Sequence, residues 1–189
     1  MTSGEAAIDA INQNKFGKTF FHLGPPRDTS LFEKQKNNKT EIEKCDFILC
    51  TGLFDNHEDD LSYYKNFLKE HISKKLICTN PDLTVHRGDI EELCAGSVAK
   101  VFEELGGKVI YYGKPYKEVY SKCFDKGEKV LAIGDNLRTD IKGANNLNID
   151  SIFITEGVHR QEIGDSTKLD ALLTKYKVKT NFFQKELTW

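Results

Sequence analysis

The chain has 189 residues, with 27 Lys and Arg against 29 Asp and Glu and a formal net charge of −2. That balance gives no electrostatic footing for nucleic acid or for a membrane surface. Hydrophobic residues at 39% and charged ones at 30% mark an ordinary globular protein rather than a disordered one, long enough for one good core or for two small domains.

The amino-terminal stretch MTSGEAAIDAINQNK carries acidic residues and no long apolar centre, so it does not read as a secretory signal. No apolar run approaches the roughly 20 residues that span a bilayer. The cysteines (Cys45, Cys50, Cys78, Cys94 and Cys123) are odd in number and form no CxxC pair. Most sit within or beside apolar runs, which suits buried reduced thiols in a cytoplasmic protein.

In chain order the pattern predicts a helix over 4–14, a strand over 18–24 (KTFFHLG), and an exposed polar loop or helix edge over 34–44 (KQKNNKTEIEK). A strand over 46–52 (DFILCTG), a helix over 59–71 and a strand over 74–80 (KKLICTN) follow. A helix over 90–105 stops at Gly106-Gly107 before a strand over 108–113. Then come a helix over 116–125, a strand over 129–135 (KVLAIGD), a helix over 138–147, a strand over 150–157, a helix over 167–176 and a last strand over 180–187. Leu137, Ile141, Ala144 and Leu147 recur at helical spacing and predict a buried stripe. Alternating strands and helices argue for α/β architecture, and the near-continuous apolar strands argue for parallel sheets covered on both faces. No internal repeat is visible.

Two stretches carry chemistry. In GDNLRTDIKGA, 134–144, Asp135 leaves the carboxyl end of a predicted strand, where open parallel sheets bind ligands, and Asp140 follows in the first turn of the next helix. Magnesium takes one or two carboxylates together with water and phosphate oxygens. Asp135 is thus a candidate direct ligand and Asp140 a water-mediated or supporting one. The alternative is structural: Asp135 and Asn136 cap the helix while Asp140 favours its dipole. In YYGKPY, 111–116, Lys114 follows a strand and a glycine, and its ammonium could neutralise phosphate charge. An exposed loop lysine is the other account. His159 and Arg160 read as a surface pair that could border such a site, and His22, His57 and His71 show no metal spacing.

Lys114 followed about twenty residues later by GDNLRTDIKGA resembles the third and fourth signature motifs of the haloacid dehalogenase superfamily, and GKP…GDNLRTDI is similar to its subfamily IIA of sugar-phosphate and nitrophenyl-phosphate phosphatases. ICTNPD (77–82) and ELCAG (92–96) resemble segments of that subfamily's α/β cap, and SGEAAIDAI (3–11) the stretch just before it. The resemblance implies a Rossmann-like core with a parallel sheet and a large cap, divided as 1–16 (core segment leading into the cap), 17–108 (cap) and 109–189 (carboxyl-terminal half of the core). It implies a Mg²⁺-dependent phosphomonoester hydrolase in which Lys114 is catalytic, Asp135 and Asp140 serve the metal, and Asn136 contacts phosphate. Asp82, His86 and Arg87 in NPDLTVHRGD are candidates for reading the substrate, a small phosphorylated metabolite, the alternative being a solvated polar loop.

The departure matters equally. Family members open on a DxD strand end whose first Asp is the nucleophile, followed by a phosphate-binding Ser or Thr; neither appears in these 189 residues. The resemblance therefore implies a truncated enzyme, inactive alone. A degenerate, non-catalytic protein that binds a phosphorylated metabolite or a partner chain is the alternative. In the family the nucleophile strand lies beside the one bearing Asp135, so its absence would leave LAIG at an open edge. The expectation is a homodimer or a complementing amino-terminal fragment.

Overall fold

A computed structural model describes residues 2–87, 90–120, 123–125, 127–163 and 169–188; the side chains of His86 and Arg87 fall outside it. The chain divides into two compact units, Met1–Gly113 and Lys114–Trp189.

The first unit opens with helix α1 (Ser3–Asn12), started by a reciprocal cap. The Thr2 hydroxyl accepts from the Glu5 amide at 3.2 Å, and the Glu5 carboxylate accepts from the Thr2 amide at 2.7 Å. Strands β1 (Phe20–Leu23), β2 (Phe47–Cys50) and β3 (Lys75–Cys78) follow, with helix α2 (Leu61–Leu68) between the last two. A hairpin of β4 (Thr84–Arg87) and β5 (Ile90–Leu93) precedes helix α3 (Ala95–Glu104) and strand β6 (Lys108–Tyr111).

β1, β2, β3 and β6 form one parallel sheet in that order. Every residue of β2 is buried, as its unbroken apolar run requires when both faces are covered. On one face α2 and α3 supply Tyr64, Leu68, Val98 and Phe102; on the other α1 supplies Ala6, Ala7, Ala10 and Ile11 against Phe20, Phe47 and Leu49. Each large side chain so buried contributes about 1.5–3 kcal/mol.

Two expectations change here. The helix expected over 90–105 begins only at Ala95, and Ile90–Leu93 pair antiparallel with β4 instead. The reason is close packing. A Cβ on Gly96 would stand 2.3 Å from the Pro81 carbonyl oxygen, so the first turn of α3 fits against Pro81–Asp82 only where glycine sits. Consequently His86 and Arg87, expected in a loop, lie on a strand, opposite Glu91 and Ile90. The polar tract expected as loop or helix edge joins a longer series of 3₁₀ turns, Pro26–Asn38. It is pinned by Phe32, 1% exposed, edge-on to Phe20 at 5.2 Å.

In the second unit, helix α4 (Lys117–Tyr120) leads to strand β7 (Leu131–Gly134), a π-helical turn (Leu137–Ile141) and helix α5 (Lys142–Leu147). Strand β8 (Asp150–Ile154), helices α6 (Arg160–Ile163) and α7 (Leu169–Tyr176) and strand β9 (Phe182–Gln184) complete it. The helix expected over 138–147 thus starts in a wider turn, and Asn148 ends it with a left-handed backbone, φ 55°. Its stripe is buried as predicted at Leu137, Ile141 and Ala144.

The sheet is parallel, in the order β7-β8-β9. Its core joins Leu137, Ile141, Phe153, Leu169, Leu172 and Val178. The edge strand β7 is different from β2: Leu131 is 46% exposed and Ile133 41%. Parts of the helices expected over 116–125 and 167–176 lie outside the described residues. No helix among the described residues is long and apolar enough to cross a membrane.

Candidate functional site

Strand β7 ends at Gly134, and the chain must then turn sharply. The Asn136 side chain makes that turn by accepting from the Arg138 amide at 2.9 Å, while its carbonyl accepts from the amides of Asp140 (2.9 Å) and Ile141 (3.2 Å). Asp140 closes the loop from the other side, its Oδ2 accepting from the Asn136 amide at 3.1 Å. Gly134 is required by this arrangement, since a Cβ there would lie 2.3 Å from the Asp140 carboxyl carbon.

The other oxygen of Asp140 meets the ammonium of Lys114 in an ion pair. Asp140 is nearly buried, with 10% of its side chain exposed, whereas Lys114 is 53% exposed. The carboxylate is therefore a fixed anchor, and the lysine a cation held at the surface beside it. Tyr120 lies nearby, its hydroxyl pushed up to about 12 by burial first and by the charge of Asp140 second. The close approach of Tyr120 is possible because residue 143 is glycine; a Cβ there would meet the hydroxyl at 2.0 Å.

Asp135 is half-buried and tied across the sheet end. Its Oδ2 accepts from the Val158 amide at 3.0 Å. A Cβ on Gly157 would stand 2.1 Å from that same oxygen, so a bare backbone is what lets the loop after β8 close over the carboxylate. Among the described residues, Oδ1 of Asp135 has no hydrogen-bond partner. The arrangement therefore offers one carboxylate oxygen for an incoming cation, a second carboxylate already neutralised by Lys114, and an ammonium for a dianion.

Of the residues singled out in the sequence, Lys114, Asn136 and Asp140 are joined in the second unit, and Asp135, next to Asn136 in the chain, turns its carboxylate to the loop after β8. Asp82, His86 and Arg87 belong to the first unit. Asp82 is half-buried between β3 and β4, its carbonyl accepting from the Gly96 amide at 3.2 Å. A shallow groove bounded by Asn145, Asp170, Leu173 and Lys179 holds none of the candidates.

One reading is overturned. His159, expected as half of a surface pair with Arg160, is 3% exposed. Its Nδ1 lies 2.7 Å from Glu162 Oε1, and its Nε2 accepts from the Leu137 amide at 3.2 Å. Glu162 is also bound by Lys175 at 2.6 Å and by the Tyr176 hydroxyl at 3.1 Å. These contacts, Lys175 foremost, hold its carboxyl down at about 2. Only the three-residue spacing of His159 and Glu162 hints at this in the sequence; the other partners arrive from α7.

A HAD-hydrolase-like sequence profile matches residues 111–177, the span containing Lys114, Asp135, Asn136 and Asp140. The ribonucleotide monophosphatase NagD of Escherichia coli is 30% identical over 96 residues, which is 49% of this chain and 38% of that protein. A haloacid dehalogenase-like hydrolase from Brucella suis superposes with a TM-score of 0.75 at 31% identity, over 84% of this chain and 64% of the other. A 4-nitrophenylphosphatase from Thermotoga maritima does so with a TM-score of 0.68 at 27% identity, over 98% and 69%. The chain thus spans less than two-thirds of the first two relatives. Motif order, sheet topology and these likenesses agree in relating the chain to the haloacid dehalogenase superfamily, subfamily IIA.

Proposed function

We propose that the chain supplies the charge-handling half of a Mg²⁺-dependent phosphomonoester hydrolase, and that the attacking aspartate comes from a further stretch of polypeptide. The observation that carries this is the Lys114–Asp140–Asn136 relay beside Asp135 with an uncommitted oxygen. In the reading, Asp135 contributes a ligand and Asp140 holds Lys114 and the loop in place, the metal's remaining ligands being water and phosphate oxygens. Among the described residues no three His, Cys, Asp or Glu cluster as a metal cage, and a single carboxylate with an open oxygen fits magnesium, which keeps most of its water, better than zinc. When bound, the cation would neutralise the charge of a transferring phosphoryl group.

Lys114 would neutralise the phosphate on its other side. Asn136, its side-chain oxygen and its backbone engaged in the turn, would offer its side-chain NH2 group to the phosphate. The substrate is a small phosphorylated metabolite, with Asp82, His86 and Arg87 of the first unit as candidates for reading it. The burial of Cys50 and Cys78 within the apolar strands β2 and β3 suits reduced thiols and supports a cytoplasmic setting.

The open edge of β7 supports the need for a second segment. Leu131 and Ile133 stand exposed on a strand that, among the described residues, is paired on one side only, and an added segment, from a complementing fragment or a second copy, would pair its free backbone edge. The absence of any DxD in the sequence favours a second reading, a non-catalytic binder of phosphorylated metabolites. The chain alone is expected to leave p-nitrophenyl phosphate intact with Mg²⁺ present. If an added fragment restores turnover, Asp135→Asn and Lys114→Ala should each abolish it. Turnover that survives either change refutes the assignment. Binding without turnover, whatever fragment is added, selects the second reading.

A further inference from the structure

Two loops meet at the end of the second sheet, one after β7 carrying Asp135 and one after β8 carrying Val158 and His159. They are joined twice: the Val158 amide donates to Asp135 Oδ2 at 3.0 Å, and the Leu137 amide donates to His159 Nε2 at 3.2 Å. For the second bond to exist, Nε2 must be a lone-pair acceptor. The imidazole is then in its Nδ1–H form, and that hydrogen points at Glu162 Oε1, 2.7 Å away. One nitrogen's partner dictates the state of the other.

The acceptor is in turn fixed. Lys175 and the Tyr176 hydroxyl, both on α7, bind the Glu162 carboxylate at 2.6 Å and 3.1 Å. The Tyr176 ring packs edge-on to His159 at 4.8 Å and lies under the Arg138 guanidinium at 5.3 Å. Arg138 Nη2 also donates to the Tyr176 hydroxyl at 3.4 Å. The contacts therefore run in a closed circuit, Leu137 to His159 to Glu162 to Tyr176 to Arg138, and return to the residue next to Leu137. His159 is buried at its centre, and nothing else in the described residues accepts the Leu137 amide.

We propose that His159 is a positioning residue that, held as its Nδ1–H tautomer by Glu162, fixes the Leu137 amide and thereby sets the Asp135 loop for a divalent cation. The geometric half of this stands on the circuit itself; the cation half rests on the reading of Asp135 as a metal ligand. A ligand-supporting hydrogen bond of this kind typically changes metal affinity about 10–100-fold when removed.

Two substitutions separate the roles of the two nitrogens. The side-chain amide of glutamine reaches the place of Nε2, so His159→Gln keeps an acceptor for Leu137. Asparagine reaches only the place of Nδ1, so His159→Asn keeps a donor to Glu162 and loses that acceptor. The readouts are amide hydrogen exchange at Leu137, the ¹⁵N shifts of the His159 ring, and Mn²⁺ affinity measured by paramagnetic relaxation on the full chain. Expected are ring shifts of the Nδ1–H tautomer in the parent, Leu137 exchange at least about tenfold faster in His159→Asn with Mn²⁺ affinity about tenfold weaker, and both near parental in His159→Gln. Glu162→Ala, which leaves the ring in place but frees its tautomer, should give an intermediate loss.

Unchanged Leu137 exchange in His159→Asn, equal losses in both His159 variants, or an Nε2–H ring overturns the proposal. If the parent chain binds no Mn²⁺ while the exchange pattern holds, the metal reading of Asp135 falls and the cation half with it, yet the hydrogen-bond circuit stands. If the parent binds and Asp135→Asn abolishes binding, but His159→Asn binds like the parent, the metal reading stands and the role of His159 is refuted.

Discussion

The apolar strands β2 and β7 look alike in sequence, FILC against LAIG, yet they sit in opposite circumstances. β2 lies inside its sheet, flanked by β1 and β3, with helices on both faces, and is wholly buried. β7 ends its sheet, and its two large aliphatic side chains are 46% and 41% exposed. The proposed site falls in the second unit, whose strand β7 has a partner on one side only among the described residues, and that is why a partner strand enters the functional proposal.

The comparison can be broken most forcefully at β2. Phe47→Ala removes a ring 0% exposed and stacked on Phe20 at 5.8 Å, and about 3–5 kcal/mol of stability should be lost in a denaturant titration. A loss under 1 kcal/mol would mean that the first core is loose.

Next in size is an effect of pH on the same unit. Burial, and secondarily Lys39, push the His22 imidazole down to about 4 from an ordinary 6.5. The unfolded chain binds the extra proton between those values, so this stabilisation is complete above about pH 6.5 and disappears as pH falls to about 4. A shift of that size corresponds to roughly 3 kcal/mol. His22→Gln should flatten the pH dependence of stability over that window; an unaltered slope would assign it to other groups.

In the second unit Asp140→Ala strips Lys114 and the Asn136 amide of their partner at once. It should cost about 1–3 kcal/mol and raise amide exchange at Asn136. The smallest effect is expected at the open edge. Ile133→Ala should change the stability of the isolated chain by no more than about 0.5 kcal/mol. A cost several times larger, together with concentration-dependent sedimentation, would show that β7 is covered in solution by a second copy.

The strands were legible because their apolar runs are short and bounded by glycine or polar residues, and all those expected from FFHL to FFQ occur where the pattern puts them. Hairpin β4–β5 was not. Glu91 and Glu92 are exposed and Ile90 is 66% exposed, so burial leaves no period to read, and the onset of α3 depends on contact with Pro81 and Asp82, distant in pattern though close in space. Lys114, Asp135, Asn136 and Asp140 were visible because they follow strand ends. His159 was hidden because a lone histidine beside an arginine looks like surface, and what buries it comes from α6 and α7. Local spacing exposes groups placed by one strand; it is silent about groups placed by a circuit.

The central claim is that Asp135 presents an open carboxylate oxygen to a divalent cation while Asp140 keeps Lys114 in reach of the same phosphate. Titration of the full chain with Mn²⁺, in the presence and absence of inorganic phosphate, tests it directly. A single saturable site, tightened by phosphate, lost in Asp135→Asn and made indifferent to phosphate in Lys114→Ala, is the predicted result. Equal Mn²⁺ binding by the parent and Asp135→Asn, or none by either, would contradict it.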